Sequence, residues 1–204
     1  MSKWDRFFND KIRRIFIEKR RVLDIGGGLR ISKERGNRYN QKNAWIAELA
    51  NASNYKILDT VETYHPDIVG DIQNLPLKDN SQEAIICSSV LTHVENPHRA
   101  SEEMHRVLKS GGYCFVYVPF LYYYHAEEGY YKDYWRFTED SIRHIFKKFS
   151  SIEIQKLHGA TETWLKLSPL GRFSIFLFLA RVADIMLRKT NSKQTSGFYV
   201  FLVK

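Results

Sequence analysis

Between residues 119 and 137 the chain gathers groups able to bind and deprotonate a small ligand. His125 and Asp133 are candidates to move a proton, and Arg136 to hold an anionic group. The rings of Tyr122, Tyr134 and Trp135 suit stacking on a sugar or another flat ligand. An unperturbed imidazole titrates at about 6.5, so His125 is the first choice for a general base, with Asp133 orienting it or serving as the base itself. The same residues also fit a packed aromatic loop in which Asp133 simply pairs with Arg136. Gly129 offers this segment a hinge.

A second group lies upstream. Val22-Leu23-Asp24-Ile25 reads as a short strand running into Gly26-Gly27-Gly28. Glycines let a backbone approach a ligand closely. A dinucleotide fingerprint needs a third glycine where Ile31 stands, and a Walker loop needs a Gly-Lys-Ser/Thr that is absent. The loop is therefore not built around phosphates.

The elements that must position these residues alternate. A three- and four-residue recurrence of Trp4, Phe7, Phe8, Ile12, Ile15 and Phe16 predicts an amphipathic helix over 3–18. Strands are expected at 22–25, 55–59, 67–72, 84–88, 113–118, 151–157 and 198–203. Helices are expected at 43–51 and from Pro97 to Leu108, with Gly111-Gly112 ending the latter. Another starts at Thr138, whose side chain caps an acidic first turn. Strands interleaved with helices imply an α/β fold, a mostly parallel sheet with helices on both faces. One domain is expected over 1–204, with an N-terminal helix to residue 20, a lid at 119–137 and an apolar helical insertion at 158–190. In such sheets ligands sit beyond the carboxyl ends of the strands, where the strand order reverses.

From Val22 to about Phe146 the chain resembles the class I S-adenosylmethionine-dependent methyltransferases, in particular those of type 11. Val22 to Gly28 is similar to their first motif, which implies that Asp24, Gly26, Gly27 and Gly28 surround the methionine end of the cofactor. Asp59 stands where the family places an acid that accepts from the ribose hydroxyls. Gly70-Asp71-Ile72 is similar to the third-strand segment, implying that Asp71 takes the adenine amino group and Ile72 lies against the ring. Ser88 to Val94, which includes His93, resembles the fourth-strand motif under the sulfonium, and Leu108 to Gly112 the turn before strand five. Two features depart from the family: Gln82-Glu83 replaces an aromatic-aspartate pair, and the polar stretch 29–43, with Arg30, Lys33, Arg35 and Arg38, is longer than the usual loop. The lid resembles a subgroup associated with bacterial surface-polysaccharide synthesis. The resemblance implies S-adenosylmethionine as cofactor and a Rossmann-like, seven-stranded, mostly parallel sheet with the last strand antiparallel. No metal is expected, and with the 119–137 residues the expected reaction is O-methylation of a sugar or other small hydroxylated acceptor.

The bulk composition is that of a globular protein, 44% hydrophobic and 26% charged. Cys87 and Cys114 sit in apolar runs, which reads as reduced core residues of a cytoplasmic protein. No secretory signal is expected, because the first apolar residues are interleaved with charges. The net charge of +8 suits an anionic partner. Nucleic acid is nonetheless disfavoured, since Ser88-Ser89-Val90-Leu91 replaces the Asn-Pro-Pro-Tyr type of motif and no RNA-binding module is appended. A non-catalytic scaffold is the third reading, opposed by the complete cofactor set. The run 173–187 is too short to span a bilayer, which takes about 20 apolar residues. Burial or a homodimer face is favoured for it over peripheral membrane contact, a role for which the basic N-terminal helix is the other candidate.

Overall fold

Ser2 starts the first helix: its hydroxyl accepts from the Asp5 amide (3.1 Å), and the Asp5 carboxylate accepts from the Ser2 amide and hydroxyl. The computed structural model describes residues 1–33 and 39–204, so Arg35 and Arg38 of the polar stretch lie outside the described residues. The elements follow as α1 (Lys3–Glu18), β1 (Arg21–Ile25), α2 (Ala44–Ala50), β2 (Asn54–Asp59), β3 (Ile68–Val69), β4 (Gln82–Ser88), α3 (Pro97–Val107) and β5 (Leu108–Pro119). Then come α4 (Glu139–Ile145), β6 (Ser151–Leu157), α5 (Ala160–Lys166), α6 (Ser174–Met186) and β7 (Gly197–Val203).

The seven strands form one sheet in the order β3-β2-β1-β4-β5-β7-β6. Neighbours pair in parallel except β7, which runs antiparallel to both β5 and β6. Period-two alternation divides the sheet between two cores. Leu23, Ile25, Ile85 and Cys87 face Ala100, Met104 and Val107 of α3 and Ile142 and Ile145 of α4. Val22, Ala84, Ile86 and Phe115 face Ile12, Ile15 and Phe16 of α1 and Ile46 of α2. The expected three-layer fold is present. Both cysteines are buried and unbonded, Cys87 and Cys114 lying on the adjacent strands β4 and β5.

Three local expectations are corrected. β3 holds only two residues, because Asp71 leaves the sheet to accept from the Gln73 amide in a turn. Gly111 and Gly112 do not end α3. That helix stops at Val107, and Leu108 is already extended and paired with Gln82, so the glycines fall in an irregular stretch of β5. The third correction concerns the burial expected as one alternative for 173–187, the dimer face being untouched by it. α6 buries only Ala180 and Asp184, against α5, and most of its apolar side chains are exposed.

Candidate active site

The sheet order reverses at β1, between β2 and β4, and the glycine loop leaves the sheet there. Gly26 has φ +78°, a conformation that side chains rarely adopt, and a Cβ there would lie 2.5 Å from Val90 Cγ2. Gly28 presses on Ser88, where a Cβ would meet the Ser88 Cβ at 2.5 Å. The loop is thus folded tightly against the end of β4, and Ser88 is its floor.

Asp24 holds this loop from inside. Its side chain is wholly buried, and its carboxylate accepts from Gly28 N (3.1 Å), Leu29 N (3.1 Å) and the Tyr55 hydroxyl (2.6 Å). Burial pushes the Asp24 carboxyl up to about 6, opposed by those three donors. Asp24 therefore shapes the loop and does not face the cleft.

That cleft is lined by Gly26, Gly27, Arg30, Ile57, Asp59 and Tyr64, among others. A carboxylate at the end of β2 thus shares one cavity with the glycine backbone and with apolar and aromatic walls. Asp59 Oδ1 accepts from Val61 N (3.0 Å), which fixes the carboxylate at the cavity edge. The donor set fits a nucleoside: an acidic acceptor for a vicinal diol, beside apolar and aromatic walls. Asp71 and Ile72 are less directly placed. Asp71 is exposed and caps its own turn, while Ile72 is 2% exposed within the core beneath the cleft.

The lid runs from Pro119 to Phe137, whose amide donates back to the Pro119 carbonyl (2.9 Å) and closes its base. Tyr134 N donates to Thr92 O (2.7 Å) and Trp135 Nε1 to Val94 O (2.9 Å), tying it to the segment after β4. At its far end Tyr130 stacks on Tyr64 (centroids 5.4 Å apart), and the Tyr64 hydroxyl donates to Glu127 (3.1 Å). The lid therefore crosses the carboxyl edge of the sheet from β5 to the wall of the cleft. Tyr122, Tyr134 and Trp135 are all partly exposed on it.

Asp133 is the lid's internal anchor. Its side chain is fully buried and forms a bidentate pair with Arg136, Nη1–Oδ1 2.6 Å and Nη2–Oδ2 2.7 Å. Arg136 holds the Asp133 carboxyl down at about 2. This geometry speaks against an anion-holding role for Arg136 and against Asp133 as the base, and leaves the orienting role of Asp133 standing. Arg136 also donates to the carbonyls of Tyr122, Tyr123 and Trp135, so all five of its N–H groups are engaged and none is left for a substrate anion. Asp133 is an ion-paired, buried carboxylate and makes a poor base.

What Asp133 does is orient His125. Its Oδ2 accepts from the His125 backbone amide (2.9 Å) and lies 3.1 Å from Nδ1. With the Tyr123 carbonyl 3.3 Å from the same nitrogen, these two acceptors put the proton on Nδ1 and the lone pair on Nε2, an atom that is buried and has no hydrogen-bond partner. His93 stands beside it, rings 4.9 Å apart, with Nδ1 2.7 Å from the Lys132 carbonyl. Burial favours its neutral form. His93, His125 and Asp133 each offer a ligand atom within 4.8 Å of the others, but both Asp133 oxygens are already committed to Arg136. The cluster is an ion-paired carboxylate beside two imidazoles, and a poor metal cage.

Sequence reasoning missed Tyr64, Arg30 and Tyr130. Tyr64 and Tyr130 are distant in the chain and meet only because the segment 119–137 reaches the cleft wall. Arg30, with φ +52°, continues the glycine loop into the cleft wall.

The family model described as a methyltransferase domain matches residues 38–116. An S-adenosylmethionine-dependent methyltransferase from Archaeoglobus fulgidus superposes with a TM-score of 0.62, at 16% identity, over 98% of this chain and 94% of that one. The chain has the class I methyltransferase fold. A second methyltransferase of this fold, from Mesorhizobium loti, superposes with a TM-score of 0.57, at 15% identity, covering 96% of each chain. In sequence, a demethylmenaquinone methyltransferase of Paenarthrobacter aurescens (strain TC1) is 36% identical over 95 residues. That match takes in 45% of this chain and 36% of the relative, so it spans about a third of the relative's length. The matched domain begins after the glycine loop of the methyltransferase fold and ends within β5, leaving the lid and everything beyond it outside.

Proposed function

We propose that this chain is an S-adenosylmethionine-dependent methyltransferase that O-methylates a sugar or other small hydroxylated acceptor. The observation that carries the acceptor class is the unpartnered, buried Nε2 of His125. A buried acceptor with nothing donating to it costs about 1–3 kcal/mol, and a hydroxyl entering the site would satisfy it. The bound cofactor supplies an already activated methyl group. The chain's own residues supply alignment, a dry site and proton removal. Asp59 and the glycine loop hold the nucleoside, and Ser88 supports the loop from beneath. Tyr122, Tyr134 and Trp135 present ring faces to the acceptor. His125 takes the acceptor's proton at Nε2, and Asp133 together with the Tyr123 carbonyl keeps the imidazole in the tautomer that leaves this nitrogen able to accept.

The test is His125→Ala assayed on a panel of hydroxylated acceptors. Turnover should fall about 10²- to 10⁴-fold, the usual worth of a positioned base. Binding of the demethylated cofactor, measured by calorimetry, should hardly change. A parallel loss of cofactor affinity would make His125 a structural residue and remove the base from the scheme.

A further inference from the structure

The chain between Leu157 and Gly197 leaves the sheet at the carboxyl end of β6 and returns at the start of β7, where Gly197 pairs with Pro119. This places it beside the base of the lid, and the amides of Phe120 and Leu121 donate to Ser196 and Thr195. Inside it, α5 and α6 pack on each other by a narrow polar seam. The Asp184 carboxylate accepts from the amides of Thr161 and Glu162 at the start of α5, and Arg181 pairs with Glu162 (2.6 Å). The opposite side of α6 is apolar and uncovered. Ile175, Leu179, Val182 and Met186 recur at three- and four-residue steps, flanked by Phe178 and Ile185, and all six are exposed. More than half of the large apolar side chains exposed among the described residues lie between Trp164 and Leu187. Contiguous apolar surface of this kind marks an interaction site.

Charge says what covers it. The only acids between Leu157 and Gly197 are Glu162 and Asp184, each 1% exposed and turned into the seam. Arg172 precedes the apolar face and Arg188 and Lys189 follow it, all three exposed. The surface offered outward is thus apolar in the middle and cationic at both ends, with no exposed acid. We propose that this face docks on an anionic lipid bilayer, with α6 lying in the plane of the headgroups. The 13 residues of α6 extend about 20 Å, too short to cross, and no helix among the described residues is long and apolar enough to do so. α1, the other cationic amphipathic helix, has its apolar face buried against the sheet and is not available for the same role.

Flotation of the whole protein with vesicles tests this without any assay of activity. Wild-type protein should float with phosphatidylcholine vesicles that contain phosphatidylglycerol, and much less with phosphatidylcholine alone. Leu179→Glu with Met186→Glu should abolish flotation while leaving the melting temperature unchanged, since both side chains are exposed. Arg172→Glu with Arg188→Glu and Lys189→Glu should weaken binding at least about tenfold, as should high salt. Two results would overturn the proposal. One is wild-type protein that stays off anionic vesicles. The other is a dimer in analytical ultracentrifugation that the two glutamates dissociate and that vesicles fail to displace, which would give the face to a second copy.

Discussion

Single residues in this site take their roles from what touches them. Asp59 and Asp24 end or precede the same loop region, yet one lines the cleft and the other is sealed beneath it. Asp59→Ala should weaken binding of the demethylated cofactor by about 1–3 kcal/mol in calorimetry, because the ribose hydroxyls lose a charged acceptor. Unchanged affinity in a folded variant would remove Asp59 from the site. Asp24→Asn should act differently. It puts an NH₂ group among three donors and leaves at least one of them unsatisfied, so the protein should lose about 1–3 kcal/mol of stability in denaturant melts. Cofactor binding would weaken only through the loosened loop.

At the scale of elements, the lid and the insertion are each held by one buried polar cluster. Asp133→Asn breaks the bidentate pair with Arg136 and the tautomer lock on His125 together. Turnover should fall about tenfold or more, and limited proteolysis should cut the lid sooner than in the wild type. A variant with an intact lid and full turnover would contradict the orienting role. In the insertion, His158 lies between Lys166 Nζ, 2.8 Å from Nε2, and the Ser196 hydroxyl, 2.5 Å from Nδ1. Burial, with help from Lys166 and Arg181, pushes it down to about 3 from its ordinary 6.5. A histidine kept neutral in the folded state is protonated first in the unfolded chain. Its contribution is therefore constant above pH 6.5 and turns destabilising as pH falls from there toward 3. The melting temperature should drop over that window, and His158→Gln should flatten the drop. Parallel curves for the two proteins would count against it.

For the molecule as a whole, the two cores share one sheet, and both cysteines lie at its centre. Burial pushes the Cys87 and Cys114 thiols well up. Neither should react with a thiol-specific reagent in the native protein, and both should react once denaturant passes the unfolding midpoint. Reaction of either thiol well before global unfolding would reveal a local opening of β4 or β5.

Most of the framework is written in local pattern. The spacing of Trp4 to Phe16 alone defines α1, the apolar run from Ala84 locates β4 to within two residues, the segment 151–157 is β6 as expected, and Thr138 caps α4 as its side chain predicts. Those features depend on neighbours a few positions away, which the sequence displays directly. Three matters depended on neighbours far along the chain. Whether Asp133 is a base or an anchor turns on Arg136 and His125 meeting its buried carboxylate, which makes it an anchor. Whether Asp24 meets the ligand turns on Tyr55, 31 positions away, which shares its buried pocket. The run 173–187 is apolar on almost every side, so its periodicity selects no inward face. Only the packing of α5 against it, through Asp184 and Arg181, decided which stripe is covered and left the rest to the solvent side.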